Sequence, residues 1–347
     1  MSLGPVMLGI AGKELTNIER EMLMHPLTGG VILFSRNYEN PEQMALLVSE
    51  IHRLRDPQLL VAVDHEGGRV QRFKSGFTLL PAVHKLGSIY EKDSRQAKTL
   101  AELTGWLMAI ELRSIGVDFS FAPVLDLDRG VSQVIGDRAF HASPDVIADL
   151  AHEYMRGMHR AGMAATGKHF PGHGGVIEDS HFDMAIDERR YEDLLVEDLV
   201  PFERMINYGL EAIMVAHVIY KNIDSNLAGF SSFWLQEILR NRLGFQGVIF
   251  SDDLEMEGAG VVENISDRAL HAIDAGCDVV MVCQETEAME QVLDGVKDWH
   301  NPVSSLRLAR MHGHKPIDRH QLASDPAWKQ AITLVEAYDE PHTLDLV

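Results

Sequence analysis

Long hydrophobic runs are missing from this chain of 347 residues. A membrane-spanning helix needs about 20 consecutive apolar residues, and every apolar run here is interrupted before that length. Pro/Gly/Ser-rich linkers, low-complexity blocks and internal repeats are also missing. A content of 46% hydrophobic and 24% charged residues is instead typical of a soluble globular protein. We therefore predict a single domain over residues 1–347, with residues 303–347 as a helical tail packed on it.

Basic residues and cysteines are scarce. Lys and Arg number 31 against 52 Asp and Glu, which gives a formal net charge of −21. Such a chain is repelled by nucleic-acid backbones and by anionic bilayers, so neither is expected as a partner.

The two cysteines, Cys277 and Cys283, lie in one apolar run. If that run is a strand, they are roughly 20 Å apart at about 3.3 Å per residue, too far for a disulfide bond, which needs Cα atoms within about 7 Å. We predict free, buried thiols, which fit a reducing compartment. The N-terminal residues lack the basic flank and cleavage site of a secretory signal, so a cytoplasmic location is expected.

What the sequence does contain is a regular alternation of short apolar, β-rich runs with helical segments. The eight runs are Val6–Ala11, Gly30–Phe34, Leu59–Val63, Val117–Leu125, Met163–His169, Ala212–Val218, Val248–Phe250 and Asp278–Val282. Between them, apolar residues recur at helical spacing, as in the helix predicted to begin near Pro41 and in a single helix predicted over Tyr191–Asn207. Such alternation indicates a parallel sheet covered by helices, and eight strands favour a closed barrel. We predict the α/β class and a (β/α)8, TIM-like barrel.

Ionisable residues stand where the predicted strands end. They are Asp64 after the third run, Asp126 and Asp128 after the fourth, Lys168 and His169 closing the fifth, His217 in the sixth, and Asp252 and Asp253 after the seventh. A single Asp at a strand end is usually a helix cap or a turn former. Because the C-terminal strand ends of a barrel surround one mouth, several such residues together indicate a functional site there.

The densest of these segments runs from Lys168 to His181. Buried Lys and His are unfavourable unless they are paired, and glycine costs backbone entropy, so packing alone does not account for this composition. Arg69, Arg72 and Arg138 lie in other glycine-containing segments and are candidate donors to a polar or anionic substrate. The glycines match no dinucleotide or phosphate loop, so no cofactor is predicted.

A catalytic metal is the rival explanation for these histidines and carboxylates. No His-x-His pair ends the first strand and no His-Glu-x-x-His helix is present, and Lys168 beside His169 would repel a cation. We predict no metal. A metal-dependent amidohydrolase or deaminase on the same barrel remains the first alternative.

Four segments together resemble glycoside hydrolase family 3, and in particular its single-domain bacterial β-N-acetylglucosaminidases. They are Asp64-His-Glu-Gly-Gly-Arg-Val-Gln-Arg72, Ile135-Gly-Asp-Arg138-Ala-Phe, Lys168-His-Phe-Pro-Gly-His-Gly with Asp179-Ser-His181, and Phe250-Ser-Asp252-Asp-Leu. The resemblance covers essentially the whole chain in the same motif order. It implies a retaining enzyme that removes terminal N-acetylglucosamine from peptidoglycan fragments (anhydro-muropeptides) in cell-wall recycling, through a covalent glycosyl-enzyme.

The resemblance also implies individual roles. Asp252 would be the nucleophile, and His181 the general acid/base held by Asp179. The sugar-binding residues would be Asp64, Arg72, Arg138, Lys168 and His169. No metal or organic cofactor is implied, and the expected partner is a small-molecule muropeptide bound by a monomer.

Two residues depart from the family's pattern. The family usually has Gln where His65 stands and a small residue where Glu255 stands. Both neighbour matched positions, so they bear on fine specificity more than on mechanism. The second alternative is a non-catalytic sugar-binding barrel, whose signature would be the loss of Asp252 or His181, and both are present.

Overall fold

Eight parallel strands form the centre of the molecule in a computed structural model that describes residues 2–177, 185–315 and 317–339. They are β1 (Val6–Leu8), β2 (Thr28–Leu33), β3 (Leu60–Val63), β4 (Phe119–Ser120), β5 (Thr166–Phe170), β6 (Ala212–Val215), β7 (Val248–Asp253) and β8 (Val279–Val282). Each lies within or overlaps one of the eight predicted runs.

The strands are hydrogen-bonded in the order β4-β3-β2-β1-β8-β7-β6-β5. The two end strands approach each other beyond β4, where Val124 forms a parallel bridge with Lys168. There the Leu125 N–H donates to Lys168 O at 2.6 Å and the Thr166 N–H donates to Ala122 O at 2.8 Å. The sheet therefore closes on itself, and the predicted TIM-like barrel is confirmed.

Helices surround the barrel. The α-helices are α1 (Asn17–Met24), α2 (Pro41–Arg53), α3 (His84–Tyr90), α4 (Ser94–Arg113), α5 (Pro144–Arg160), α6 (Tyr191–Val196), α7 (Leu199–Asn207), α8 (Ile265–Ala275), α9 (Thr286–Gly295), α10 (Pro302–Ala309), α11 (Arg319–Ser324) and α12 (Pro326–Asp339). A π-helix spans Phe233–Arg242, and 3-10 turns span Ser35–Asn37, Gly136–Arg138, Ala228–Phe230 and Glu257–Ala259. None of the helices in the described ranges is long and apolar enough to cross a membrane.

Among the described residues, two short pairs of strands stand outside the barrel. After β3, His65–Gly67 pairs antiparallel with Val70–Gln71, and this hairpin carries Arg69 and Arg72 at the mouth of the barrel. Ala185–Asp187 pairs in parallel with Val218–Tyr220, which follows β6.

Local sequence explains α2. Pro41 occupies the first turn, where its missing N–H costs nothing, and the Asn40 side chain accepts from the Gln43 N–H at 2.8 Å. The sequence predicts one apolar face made of Met44, Leu47, Val48, Ile51 and Leu54. The helix buries the first four, whereas Leu54 follows its last residue and is only partly buried. The predicted helix is therefore confirmed.

The predicted single helix over Tyr191–Asn207 is wrong, because the structure has two helices, α6 and α7, that separate at Glu197. At the break, the fully buried carboxylate of Asp198 is paired with Arg129 at 2.7 Å and with Arg189 at 2.6 Å. A buried carboxylate needs such partners. The ion pairs account for a local geometry that helical periodicity does not predict.

The C-terminal helices pack on the outside of the barrel. In α12, the Trp328 Nε1–H donates to Glu111 Oε1 of α4 at 2.9 Å. The hydroxyl groups of Tyr338 and Thr104 lie 3.1 Å apart and form a second link between the same two helices. The segment predicted as a helical tail thus contacts α4.

Candidate active site

A pocket of about 340 Å³ opens at the C-terminal ends of the barrel strands. Its polar lining includes every described residue that the sequence singles out as a nucleophile or sugar-binding group, namely Asp64, Arg72, Arg138, Lys168, His169 and Asp252. Ile32, Phe34, Val70, Val134, Met214, Met256 and Met281 supply apolar surface. A mostly pre-formed pocket with apolar walls and a few converging polar groups is typical of a small-molecule site.

Lys168, in the middle of β5, is buried between two carboxylates. Its Nζ lies 2.7 Å from Asp64 Oδ1 and 2.6 Å from Glu66 Oε1. Burial alone would raise the pKa of Asp64, but the charges of Lys168 and Arg72 outweigh it and hold that pKa below its usual value. These contacts fix the ammonium group at the pocket wall.

Arg138, in the 3-10 turn after β4, forms a bidentate ion pair with Glu66. Its Nε and Nη2 each lie 2.8 Å from a Glu66 carboxylate oxygen, and its Nη1 donates to Val134 O at 3.1 Å. Burial would raise the pKa of Glu66, but Arg138 and Lys168 together lower it strongly. Burial would also lower the pKa of Arg138, yet the Glu66 charge raises it.

His169 is oriented by Asp126, which is fully buried. The His169 Nδ1 lies 2.7 Å from Asp126 Oδ2, and the backbone N–H groups of His169 and His173 donate to the same carboxylate at 3.2 and 2.7 Å. Burial would raise the pKa of Asp126, but His169 outweighs that effect and lowers it. With Nδ1 on the carboxylate, Nε2 is the ring nitrogen left near Arg138, 3.5 Å from Arg138 Nη2.

Arg69 and Arg72 share a hairpin but have different surroundings. Arg72 lies 3.5 Å from Asp64 Oδ2 and 5.9 Å from the Phe34 ring centre. Arg69 binds Asp137 at 3.0 Å and the carbonyl oxygens of the segment 133–135. Arg69 therefore joins the hairpin to the loop that carries Arg138.

Asp252 and Asp253 end β7, and both line the pocket. The pairing of β7 with β8 shifts register between Phe250 and Asp253. The Asp253 N–H donates to Asp252 Oδ1 at 2.8 Å. Burial, with the charges of Glu255 and Asp252, raises the pKa of Asp253 to about 7.

Two other residues predicted at strand ends, His217 and Asp128, contact backbone groups near the site. His217 is buried, and its Nε2 lies 3.0 Å from Asp253 O, at the end of β7. Burial lowers the pKa of His217. Asp128 accepts from the Gly130 N–H at 2.9 Å, as a turn former does.

Asp179 and His181, the predicted orienting carboxylate and acid/base, lie outside the described residues. The chain on either side of them is anchored. The Tyr220 hydroxyl donates to Gly172 O at 2.7 Å, and Asp187 is held by Arg189 at 2.6 Å.

His65 and Glu255, the two residues that depart from the family's pattern, each make specific contacts. His65 is buried beside Phe73 and Phe77, with ring centres 5.8 and 5.6 Å away, and burial lowers its pKa to about 3. Glu255 accepts from the backbone N–H groups of residues 283–285. His65 is thus part of an aromatic cluster, and Glu255 holds the chain that follows β8.

Within the described ranges, no group of three or more His, Cys, Asp or Glu side chains is arranged to hold a metal ion. The position between Asp64 and Glu66 is taken by the Lys168 ammonium group. Both cysteines are buried and free, as predicted.

Sequence reasoning missed Glu66 as a site residue and gave Asp126 no role beyond its place at a strand end. Glu66 stands in the Glu-Gly-Gly-Arg segment, where a carboxylate is expected to be exposed to solvent. In the folded protein only 5% of the Glu66 surface is exposed, and nothing in the sequence indicates this burial.

Comparison with known proteins agrees with this geometry. Residues 6–312 match the glycosyl hydrolase family 3 N-terminal domain. A beta-hexosaminidase of Thioalkalivibrio sulfidiphilus is 56% identical over 346 residues, which cover 100% of this chain and 99% of that protein. A beta-hexosaminidase of Methylobacillus flagellatus is 52% identical, over 96% of this chain and 95% of its own length.

Among solved structures, NagZ from Neisseria gonorrhoeae in complex with N-trifluoroacetyl-D-glucosamine matches with a TM-score of 0.93 and 42% identity, covering 98% of this chain and 99% of that one. The family resemblance inferred from the four sequence segments is thereby confirmed. The chain belongs to glycoside hydrolase family 3, and its full-length similarity groups it with the β-hexosaminidases of that family.

Proposed function

We propose that this enzyme is a retaining, exo-acting β-N-acetylglucosaminidase that uses Asp252 as its nucleophile and needs no metal or organic cofactor. The observation that carries the proposal is the convergence of Asp252 with Asp64, Lys168 and His169 on one pocket of about 340 Å³. Similarity to enzymes named beta-hexosaminidase supports the same activity.

The polar groups suit the hydroxyls of a single terminal sugar. Asp64, after β3, offers a carboxylate acceptor, and β5 supplies the Lys168 ammonium group as a donor and a ring nitrogen of His169. Arg138 and Arg72 add donors from the two flanking loops. Asp64 pairs with Lys168 and Arg72, whereas Arg138 is held by Glu66 and His169 by Asp126. These contacts hold the groups in place before substrate arrives, which reduces the entropy lost on binding.

The reaction proceeds in two displacements. The Asp252 carboxylate attacks the anomeric carbon as the bond from that carbon to the leaving oxygen breaks, and His181 donates a proton to that oxygen. A water molecule then attacks the same carbon, His181 accepts its proton, and the ester bond to Asp252 breaks. Two inversions give net retention and restore both side chains.

For the natural substrate we propose cytoplasmic muropeptides in which N-acetylglucosamine is linked to an anhydro-muramoyl residue. Support comes from the family resemblance, the free buried cysteines and the solved relative bound to a glucosamine derivative. Cell fractionation tests the compartment, and native protein found outside the inner membrane would contradict it. Hydrolysis of the purified disaccharide-peptide, followed by mass spectrometry, tests the substrate.

The activity is tested by a side-by-side assay of p-nitrophenyl β-N-acetylglucosaminide and the matching β-glucoside, each with and without chelator. NMR of the first-formed sugar reports stereochemistry. We expect faster cleavage of the acetamido sugar, no effect of chelator, and the β-anomer as first product. An inverted product, or activity lost on chelation, would contradict the proposal, and the second result would favour a metal-dependent hydrolase.

A further inference from the structure

Glu255 connects the end of β7 to the chain that follows β8. Its carboxylate accepts hydrogen bonds from three successive backbone N–H groups, those of Cys283 at 2.6 Å, Gln284 at 2.6 Å and Glu285 at 2.8 Å. The backbone N–H of Glu255 itself donates to Asp253 Oδ1 at 3.1 Å. One residue thus touches the chain next to the nucleophile and the chain on a second strand end.

The same segment, residues 283–285, is held from a second direction by Arg36. Its Nη2 donates to Cys283 O at 2.5 Å and its Nη1 to Gln284 Oε1 at 3.0 Å. A third bond, from Nε to Ile10 O at 2.9 Å, fixes the guanidinium to the chain after β1. The Glu255 carboxylate accepts from the N–H groups of this segment, and the Arg36 guanidinium donates to its oxygens. Together these two side chains form a clamp on residues 283–285.

The segment leads directly into α9, whose first turn has unpaired N–H groups. The N-cap residue of α9, Glu285, makes no side-chain capping bond. The Glu255 carboxylate therefore stands at the N-terminal end of this helix, where a negative charge is favourable. This explains why an acidic residue, rather than any polar one, suits the position.

Cys283 and Gln284 both line the pocket. The Cys283 side chain is buried at 1% exposure, and burial, together with nearby carboxylates, raises its thiol pKa well above the usual value. The segment held by Glu255 and Arg36 therefore includes two residues of the pocket wall.

We propose that Glu255 is a positioning residue that fixes the pocket wall of Cys283 and Gln284 relative to Asp252, and so sets the width of the sugar site on that side. Removing the carboxylate leaves three N–H groups without their charged acceptor, and such bonds are among the stronger ones in proteins. The wall then opens locally while the barrel stays folded. The kinetic consequence rests on the proposed function, whereas the local opening does not.

The first test follows thiol alkylation by iodoacetamide at Cys283, with Cys277 as the internal reference because it is also buried, and reads each site by peptide mass spectrometry. In Glu255→Ala we expect Cys283 to react at least about tenfold faster than in the native enzyme, from the loss of charged hydrogen bonds, with Cys277 unchanged. Glu255→Gln, which keeps one acceptor oxygen, should be intermediate. Glu257→Gln, at an exposed carboxylate two residues away, should match the native enzyme.

Equal Cys283 labelling in the native, Ala and Gln proteins would overturn the proposal. So would parallel acceleration at both cysteines, since that reports general unfolding. Thermal unfolding of every variant is measured alongside, and a Gln variant that unfolds at the native temperature yet labels faster at Cys283 would support the clamp.

The second test is kinetic. Glu255→Ala should raise KM for p-nitrophenyl β-N-acetylglucosaminide by about tenfold, with a smaller change in kcat, because the wall binds sugar in ground and transition states alike. Arg36→Ala should act on the same segment, so the double variant should lose less than the product of the two single losses. Unchanged KM in an active Ala variant, or fully multiplicative losses, would overturn the positioning role. An inactive native enzyme whose Cys283 labelling still depends on Glu255 would refute the proposed function and leave the clamp intact.

Discussion

Arg138 and Glu66 form a two-pronged ion pair, with Arg138 Nε and Nη2 each 2.8 Å from a Glu66 carboxylate oxygen. Arg138 lines the sugar pocket, and the Glu66 carboxylate also lies 2.6 Å from Lys168 Nζ. A single buried carboxylate therefore orients two of the cations that we assign to sugar binding.

Glu66→Gln tests this arrangement. The substitution keeps the shape of the side chain but leaves two buried cations with less negative charge, so we expect a loss of about 3–5 kcal/mol in the free energy of unfolding and a marked rise in KM. Urea denaturation and steady-state kinetics measure the two effects. The control is Glu188→Gln, which removes one partner of the exposed pair with Lys221 and should change little. Equal effects of the two substitutions would contradict the orienting role of Glu66.

Asp126→Asn tests the orientation of His169. Asparagine can still accept a hydrogen bond but carries no charge, so the charge-assisted bonds to the ring and to two backbone N–H groups are weakened. We expect kcat/KM to fall by about tenfold to a hundredfold, the size of one or two such bonds. Asp128→Asn, at a turn-forming carboxylate after the same strand, is the matched control. A native kcat/KM in Asp126→Asn would show that His169 needs no such support.

The raised pKa of Asp253 predicts a dependence of stability on pH. Its pKa is about 7 in the folded protein and about 3.9 in an unfolded chain, so between those values the folded state binds more protons. The contribution of Asp253 to stability is therefore full below about pH 4 and is lost as pH rises through about 7.

Asp253→Asn removes this titration. The difference in unfolding free energy between the native and Asn proteins should fall with increasing pH, with a slope approaching about 1.4 kcal/mol per pH unit near pH 6. Chemical denaturation at pH 4, 5, 6, 7 and 8 measures the slope. Asp274→Asn, at an exposed position, should give a difference that does not change with pH. A flat difference for Asp253→Asn as well would mean that folding does not raise the pKa of Asp253.

His181→Ala tests the proposed acid/base. The glycosylation step should be severely slowed on the natural disaccharide, which needs a proton on its leaving oxygen, and much less on a phenolate leaving group, which does not. Deglycosylation should be slow for both, and azide should partly rescue turnover. Equal, modest losses on both substrates with an unchanged pH profile would remove His181 from the mechanism.

Much of the fold is predictable from local sequence. Buried parallel strands are mostly apolar, so the eight runs stand out between helical segments even though β5 and β7 carry ionisable residues. Helix α1 was not predicted, although Thr16 and Glu19 form a capping box through bonds of 2.7 and 3.2 Å. Only Glu19, Met22 and Leu23 are buried in that helix, so its apolar stripe is too short to show periodicity.

Site residues could be predicted from the sequence where they lie close to the C-terminal end of a predicted strand. Asp64 and Asp252 stand at strand ends and Lys168 lies two residues before one, and a barrel brings those ends together. Glu66 was not predictable in this way, because its partner Arg138 is 72 residues away and no spacing rule connects them. The break between α6 and α7 has the same origin, since it depends on ion pairs from Arg129 and Arg189 to Asp198.

The proposed mechanism depends on a covalent bond between Asp252 and the sugar. Incubation with a 2-acetamido-5-fluoro glycosyl fluoride, followed by peptide mass spectrometry, tests it most directly. We predict one added glycosyl group on the peptide that contains Asp252, localised to that residue by fragmentation, with labelling retained in Asp253→Asn and abolished in Asp252→Asn. Labelling at another residue, or release of an oxazoline with no labelled protein, would contradict the account and indicate a different nucleophile or a substrate-assisted reaction.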